Sequence, residues 1–243
     1  MKKLLTKLFT TITCTLVIAL TTLLPVTAAD ATFDLGKNLY STNYIFLDAD
    51  TGQVLSAKKQ DEQISIASLT KMMTVLLAIE NSSSLNQTVT ITDEMIDGLY
   101  DEQASVAGYI SGDTATLLDL CYAAAVPSAA DAANALAIQI GGSFEKFYQM
   151  MNDKAAQLGM DHTVFKSAHG LDRDGQYSTV EDISKLLRYA LQNPTFKEIF
   201  STKEYTTQAT TYYPFGIPLA STIWAYADTY GYDLTNLSGG KTG

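Results

Sequence analysis

Residues 64–79 read ISIASLTKMMTVLLAI, and Lys71 is the only charged residue among them. The apolar residues recur at helical spacing, which predicts a helix that is buried on nearly all sides. Ser68 lies three positions before Lys71, so such a helix would place both side chains on one face. The stretch therefore predicts a core helix that carries one hydroxyl and one amine.

The Ser68 and Lys71 pair has the chemistry of an activated nucleophile. An amine inside an apolar run loses solvation, which lowers its pKa and makes it a base at neutral pH. Ser68 near the helix start would also have an unused backbone N–H that suits an oxyanion hole. The alternative interpretation is that Ser68 caps the helix while Lys71 stays solvated. The isolation of Lys71 in the apolar run favours the catalytic interpretation.

Two further motifs occur later in the chain, Ser128-Ala129-Ala130 and Lys241-Thr242-Gly243. Ser128 taken alone has a structural interpretation, since Ser128-x-x-Asp131 after Pro127 resembles a capping box for the next helix. The Lys-Thr-Gly motif is rarer and comes directly after Gly239-Gly240. Chance rarely produces all three motifs in this order, which favours one shared acyl-transfer site.

Alternation and turn residues predict several short strands. Asp50-Thr51-Gly52 separates two apolar runs and predicts a hairpin near the start of the domain. The Thr and Tyr content of a later segment is typical of another strand. Residues 212–240 show no firm periodicity and are predicted as loop. The predicted strands cover residues 44–47, 53–55, 87–92 and 203–211.

Helical signals occupy the middle of the chain and return once after it. Gly159 ends the third of three consecutive helices, and Pro194 ends a later helix that Thr179 caps. A loop rich in Gly and Asp, residues 167–175, separates the two groups. Strands, a helical block and strands again predict an α/β sheet interrupted by a helical subdomain. The predicted helices cover residues 117–126, 129–140, 144–158 and 180–191.

The first 29 residues have the pattern of an export signal. Three lysines near the start precede an apolar stretch, residues 16–24, and the small residues Thr27-Ala28-Ala29 come after it. The apolar run is short and has no basic flank after it, which disfavours a membrane stop. We therefore predict a signal peptide over residues 1–29, an exported protein and one catalytic domain over residues 30–243.

The charge balance and the cysteines limit the remaining choices. The chain has 16 basic and 26 acidic residues, so removal of three signal lysines would leave a formal charge of −13. That charge argues against nucleic acid or anionic lipid as a partner. Cys14 lies in the signal, and Cys121 is then the only cysteine, so an internal disulfide is excluded.

The chain resembles the serine-type D-Ala-D-Ala carboxypeptidases, which are low-molecular-mass penicillin-binding proteins. The resemblance covers nearly all of residues 30–243 and includes the three motifs. It implies a β-lactamase/transpeptidase-like α/β fold, with an antiparallel sheet flanked by helices and an inserted all-helical subdomain. Similar stretches are residues 66–74, 126–137 and 147–160, His169-Gly170-Leu171-Asp172 and Tyr177-Ser178-Thr179.

The resemblance implies a reaction and a role for each motif. Ser68 attacks the carbonyl between the last two D-alanines of a peptidoglycan stem peptide, and Lys71 takes its proton. Ser128 relays a proton to the leaving amine, while Lys241-Thr242-Gly243 binds the substrate's terminal carboxylate. β-Lactams would acylate Ser68 as substrate mimics. No metal or organic cofactor is implied.

Two departures from the family pattern bear on activity. The family's second motif usually reads Ser-x-Asn, but Ala130 occupies the Asn position and cannot contact the catalytic lysine or the substrate amide. Losing one such hydrogen bond would cost about 1–3 kcal/mol, or roughly ten- to a hundredfold in rate.

The family's strand also continues past the Lys-Thr-Gly motif. We therefore expect a catalytic domain incomplete after Gly243, a poorly held Lys241, and an unpaired sheet edge. Many relatives associate with the membrane through a C-terminal segment, and we extend that expectation to a segment beyond Gly243.

Two alternatives to an active carboxypeptidase remain open, and a third lacks the residues that it needs. Ala130 and the missing end fit an impaired homologue that binds or regulates the cell wall. A serine β-lactamase would need a carboxylate to activate the deacylating water, and no Glu occurs in a recognisable context. A zinc peptidase would need more than His162 and His169, the only histidines. We interpret His169 as a residue that orders its loop, and Asp172 and Asp174 as turn formers.

Overall fold

The structure is a computed structural model that describes residues 39–243. The predicted signal peptide over residues 1–29 lies outside this range. Within it, the chain forms eight α-helices and six short strands, and α3 to α7 follow one another without a strand between them. The strands are β1 (Tyr44–Leu47), β2 (Val54–Lys58), β3 (Thr88–Thr90), β4 (Thr114–Thr116), β5 (Glu204–Thr206) and β6 (Pro218–Ala220). The helices are α1 (Lys71–Asn81), α2 (Asp93–Ile96), α3 (Leu117–Ala125), α4 (Ala130–Gly141), α5 (Phe144–Gln157), α6 (Val180–Ala190), α7 (Pro194–Phe200) and α8 (Thr222–Tyr230).

The strands form three antiparallel pairs, β1 with β2, β3 with β4 and β5 with β6. In the β1–β2 hairpin, the Asp48 carboxylate accepts hydrogen bonds from the amide and hydroxyl of Thr51 at 2.7 and 2.6 Å. Gly52 takes the left-handed conformation that the turn requires, with φ +78°. The predicted hairpin and the α/β class are confirmed, but the described strands form separate pairs and not one continuous sheet.

Helices α1, α3, α4 and α5 pack together as the core. Helix α4 reads ADAANALAIQIG, and its alanines let three neighbouring helices approach closely. Leu76, Leu120, Leu136 and Met151 are fully buried, which places the apolar faces of all four helices in one cluster. The predicted helical block in the middle of the chain is confirmed. No helix within residues 39–243 is long and apolar enough to cross a bilayer.

Two predictions of local structure are wrong, and one is incomplete. Residues 64–70 do not join the first helix: Ile64 pairs with Ser178 in an isolated β-bridge, and Ala67–Thr70 form a 3₁₀ turn before α1. Helix α6 ends before Pro194 as predicted, but Pro194 also begins α7, where its fixed φ and missing N–H fit the first position. Residues 212–240 contain β6 and α8, so they are not all loop.

Candidate active site

Ser68 lies in the 3₁₀ turn Ala67–Thr70, and Lys71 is the first residue of α1. The Lys71 ammonium Nζ is 2.9 Å from Ser68 Oγ and 2.6 Å from the backbone oxygen of His169. The turn thus joins the two side chains as the sequence predicted, although Ser68 is not inside an α-helix. A lysine at this distance can take the proton of the serine hydroxyl.

Burial makes Lys71 a usable base. Its side chain is 3% exposed, and desolvation together with the positive charge of Lys241 lowers the pKa of Lys71 to about 7. The Asp131 carboxylate opposes this shift by favouring the charged form. About half of the Lys71 amines are therefore neutral at pH 7, so a large fraction of the molecules has the base ready.

The turn that carries Ser68 is strained and tightly covered. Ala67 has φ +43°, a left-handed conformation that costs a non-glycine residue about 1–2 kcal/mol. Gly170 lies against it so closely that a Cβ atom there would come within 1.9 Å of the Ala67 carbonyl oxygen. The Thr74 hydroxyl also donates to the Ala168 oxygen at 2.6 Å. The loop around residue 169 therefore holds the nucleophile's turn in place.

Ser128 does not cap the next helix. The N-cap of α4 is Ala129, and Ser128 has φ +68°, which turns its side chain toward Lys241. The Lys241 ammonium donates to Ser128 Oγ at 2.7 Å. Ser128 is 4% exposed, so this hydroxyl is held inside the site and not on the surface. The capping-box interpretation is therefore wrong.

The Lys-Thr-Gly motif is ordered by contacts with the rest of the site. Lys241 also donates to the Thr242 oxygen at 2.7 Å, and the Thr242 hydroxyl bonds to that of Thr222 at 2.7 Å. A Cβ atom on Gly243 would lie 2.8 Å from the Ile66 oxygen, so the motif touches the nucleophile's turn. Burial lowers the pKa of Lys241 to about 8. The expectation of a poorly held Lys241 is wrong.

Asp131 anchors a loop that the sequence did not connect with the site. Its carboxylate accepts hydrogen bonds from the amides of Ala107, Gly108 and Tyr109 at 3.0, 2.9 and 3.1 Å. The amide of Ala130 in turn donates to the Ser105 oxygen at 2.7 Å. These bonds fix residues 105–109 against the start of α4. Backbone donors carry no side-chain signal, so sequence patterns could not reveal this role.

Replacing Asp131 with Asn is expected to lower the free energy of unfolding by about 2–3 kcal/mol. An amide supplies one acceptor oxygen where the carboxylate supplies two, so buried loop amides lose their charge-assisted partner. Urea unfolding followed by circular dichroism measures the change. The exposed Asp61, changed to Asn, is the matched control. A loss no greater than that of Asp61→Asn would show that the loop does not depend on Asp131.

His169 orders its loop, as the sequence predicted. Its Nδ1 accepts the Leu171 amide at 3.1 Å, and its backbone oxygen binds Lys71. Burial and the nearby charges of Lys71 and Arg173 lower the pKa of His169 to about 4, so the ring is neutral at pH 7. Asp172 does more than form a turn, because it accepts the Ser65 hydroxyl at 2.5 Å. Asp174 remains in a turn.

An ion pair joins the two loops that border the site. Arg173 contacts both carboxylate oxygens of Glu102, at 3.0 and 2.8 Å. Arg173 follows His169 by four residues, and Glu102 precedes Ser105 by three. Both side chains are about 40% exposed, so the pair contributes little to stability. Charge alone did not identify these residues in the sequence.

A serine hydroxyl bonded to a buried lysine at the start of a core helix is the arrangement of active-serine acyl-transfer enzymes. The sequence pattern of the D-alanyl-D-alanine carboxypeptidase family matches residues 27–243. The chain therefore belongs to that family, and the resemblance stated from the motifs is confirmed.

Relatives with solved or curated chains support the same assignment. A D-alanyl-D-alanine carboxypeptidase of Streptomyces sp. (strain K15) is 34% identical over 66% of this chain and 58% of its own length. The D-alanyl-D-alanine carboxypeptidase DacC of Escherichia coli is 33% identical over 67% of this chain and 42% of its own. The crystal structure of the Streptomyces K15 DD-transpeptidase matches with a TM-score of 0.66 and 33% identity, over 74% of this chain and 70% of that one. The chain thus spans about half the length of the curated relatives.

Proposed function

We propose that the protein is a serine D-Ala-D-Ala carboxypeptidase that removes the terminal D-alanine from peptidoglycan stem pentapeptides. The observation that carries this proposal is the 2.9 Å contact between Ser68 Oγ and a buried Lys71 amine. Family membership supports the same chemistry. The proposal treats Ser68, Lys71 and Ser128 as catalytic residues and Lys241, Thr242 and Gly243 as substrate-binding residues.

Acylation begins when Ser68 Oγ attacks the carbonyl carbon of the penultimate D-alanine. Its proton passes to the neutral Lys71 amine as the Oγ–C bond forms, and the carbonyl oxygen becomes an oxyanion. The C–N bond to the last D-alanine then breaks. Ser128 gives its proton to the leaving amine and regains one from Lys241, which it contacts. The proton that Lys71 took from Ser68 is released and restores Lys241, so the net transfer is from Ser68 to free D-alanine.

Deacylation restores the enzyme. Water attacks the ester carbon, its proton goes to the neutral Lys71 amine, and Ser68 Oγ leaves as a hydroxyl by taking that proton back. The products are a shortened peptide with a new carboxylate and the free serine. Since no cofactor enters any step, the residues of the chain account for the whole cycle. β-Lactams present a strained amide to the same Ser68 and act as covalent inhibitors.

Lys241 suits the substrate's terminal carboxylate. A partly desolvated ammonium attracts an anion more strongly than a solvated one, and a bound carboxylate would hold Lys241 in its charged form. The Thr242 hydroxyl lies beside it and offers a second hydrogen bond. In the absence of substrate, the Lys241 ammonium donates to Ser128.

An impaired wall-binding or regulatory homologue is the second candidate, because Ala130 replaces the family's Asn. One observation weakens it: the His169 backbone oxygen already gives Lys71 an acceptor at 2.6 Å besides Ser68. Orientation of the lysine therefore does not depend on a side chain at position 130. The serine β-lactamase alternative stays less favoured, because we identify no carboxylate that would activate the deacylating water.

The proposed substrate sets the location of the protein and its partners. Stem peptides that end in D-Ala-D-Ala are the partner, and they lie outside the cytoplasm. We therefore propose export through the signal at residues 1–29, action at the cell envelope, and a catalytic domain that starts at residue 30. Membrane association belongs to the same proposal.

Mass spectrometry of the full-length mature protein tests the proposal. Incubation with benzylpenicillin should add one penicilloyl group to Ser68, and incubation with a D-Ala-D-Ala peptide should release D-alanine. Ser68→Ala is the control and should give neither. A folded protein that forms no adduct would leave the binding homologue as the better account. An adduct without D-alanine release would indicate an enzyme that acylates but does not process the peptide.

A further inference from the structure

A small, partly enclosed cavity lies at the site. Lys71 and Lys241 border it, and its volume of about 10 Å³ is near the lower limit for one water molecule. The remaining lining is apolar and includes no acidic residue. An apolar space beside two lysine side chains is unusual, because neither lysine gains a counter-ion from the lining.

Helix α7 supplies half of the apolar lining. Phe196 and Ile199 are 2% and 1% exposed, and Phe200 is half-buried. Helices α1 and α3 supply Met72, Val75 and Ala125. Asn193 fixes the start of α7, since its Oδ1 accepts the amides of the second and third helical residues at 3.0 and 3.1 Å.

The end of α7 also holds the segment that leads into Lys241. The Gly240 amide donates to the Phe200 oxygen at 3.1 Å. A Cβ atom on Gly239 would lie 2.7 Å from that oxygen and 2.8 Å from the Phe200 ring. The backbone of residues 239–240 therefore packs directly on Phe200. One short helix thus contacts the surroundings of both lysines.

We propose that α7 is a positioning element of the acyl-transfer site. Its Phe196 and Ile199 side chains keep water from the two lysine amines. Its Phe200 holds the backbone of residues 239–240 and thereby positions Lys241. The inference rests on the proposed function, because it concerns the base of that reaction. None of the three residues touches the reacting atoms, so they act through Lys71 and Lys241. No motif of the sequence includes them.

The charged groups around Lys71 do not account for its lowered pKa, which leaves desolvation by the apolar residues of the cavity as the main cause. Lys241 lowers the pKa of Lys71 and Asp131 raises it, while the neutral His169 contributes a backbone oxygen. On α7, Glu198 accepts the Tyr122 hydroxyl at 3.3 Å and is exposed. On α3, burial raises the pKa of Cys121 to about 12, so it carries no charge. Desolvation is the largest cause of the Lys71 shift.

The inference predicts how polarity at Ile199 changes the pH profile. Water admitted to the cavity would solvate the Lys71 ammonium and raise its pKa. A rise from about 7 to about 8 would lower the neutral fraction at pH 7 from about one half to about one tenth, which is about a fivefold loss of rate. At pH 9.5 both proteins would have mostly neutral Lys71, so the loss would disappear.

The matched pair Ile199→Val and Ile199→Thr tests this, because both remove similar volume and only Thr adds a hydroxyl. We would measure the rate of acylation by a fluorescent penicillin between pH 5.5 and 9.5 in the full-length mature protein. We expect the midpoint of Ile199→Thr to lie about one unit higher, and that of Ile199→Val to match the native enzyme. Ala125→Ser, which adds a hydroxyl without removing volume, should shift the midpoint in the same direction.

Two outcomes would overturn the inference while leaving the proposed function intact. One is an unchanged midpoint in both polar variants, with rates lowered equally at every pH. The other is identical profiles for the Val and Thr variants. If Ile199→Thr does not fold, Ala125→Ser decides alone. Failure of the proposed function looks different, since the native protein itself would then form no adduct.

Discussion

Replacing Lys71 with Met is expected to slow acylation of Ser68 by benzylpenicillin by roughly 10³-fold. Removing a general base costs about 10²–10⁴ in rate, and Lys71 is bonded directly to the hydroxyl it activates. Met has a similar length and no charge, so it should fill the same space between α1 and the cavity. Stopped-flow fluorescence with a labelled penicillin measures the loss.

The pH dependence of acylation by the native enzyme should also identify Lys71 as the general base. The active base is the neutral amine, and its pKa lies at about 7. The acylation rate should therefore rise as the pH increases through about 7, and it should fall again above about 8 as Lys241 loses the charge that binds the substrate carboxylate. The Lys71→Met variant should lack this rise. A native profile that stays flat from pH 6 to pH 9 would assign the proton transfer to another group.

The melting temperature of Lys71→Met shows whether its slower acylation comes from loss of the general base or from damage to the fold. The pKa of Lys71 in the folded protein lies below the ordinary lysine value of 10.5, so the unfolded chain binds more protons between about pH 7 and 10.5. The buried amine thus destabilises the fold at neutral pH, and its contribution becomes less unfavourable as pH rises. Lys71→Met removes this cost and should melt no lower than the native protein. The exposed Lys146, changed to Met, is the control, and its activity should not change.

Gly170→Ala should have the largest effect on stability, a loss of about 2–5 kcal/mol. Gly170 has φ +87°, and an added Cβ would come within 1.9 Å of the Ala67 oxygen and 2.9 Å of Thr70 Oγ1. The left-handed conformation costs alanine about 1–2 kcal/mol, and overpacking adds about 1–3 kcal/mol. The backbone of the Ser68 turn or of the loop must move. A shift of about 1 Å there would slow acylation by about 10²-fold.

Gly142→Ala is the matched control for this variant. Gly142 ends α4 with φ +76°, but no heavy atom lies within 4 Å of the Cβ position. Its substitution should cost only the conformational part, about 1 kcal/mol, and should leave acylation unchanged. Urea unfolding and penicillin acylation compare the two variants. Equal losses in both would mean that the Gly170 contact does not hold the nucleophile's turn.

The sequence determined the parts of this protein that depend on neighbouring residues. The hairpin of β1 and β2 follows from apolar runs around an Asp-Thr-Gly turn, and its hydrogen bonds span three residues. Helices α3, α4 and α5 follow from apolar spacing, and Thr116 and Ser143 cap the starts of α3 and α5. The Ser68–Lys71 contact also spans only three positions, so the motif itself predicted it. Each of these depends on interactions that operate within one or two turns of chain.

The tertiary structure decided everything that depends on backbone atoms and distant segments. Lys241 bonds to Ser128 across 113 positions, and Lys71 bonds to a backbone oxygen 98 positions away. A carbonyl group is present at every residue, so no pattern marks the one at His169. Pro194 fits both the end of one helix and the start of the next, and only packing against the lysine cavity gives α7 its position. Burial of Lys71, and with it the pKa that makes the site usable, is a property of the assembled core and not of any single segment.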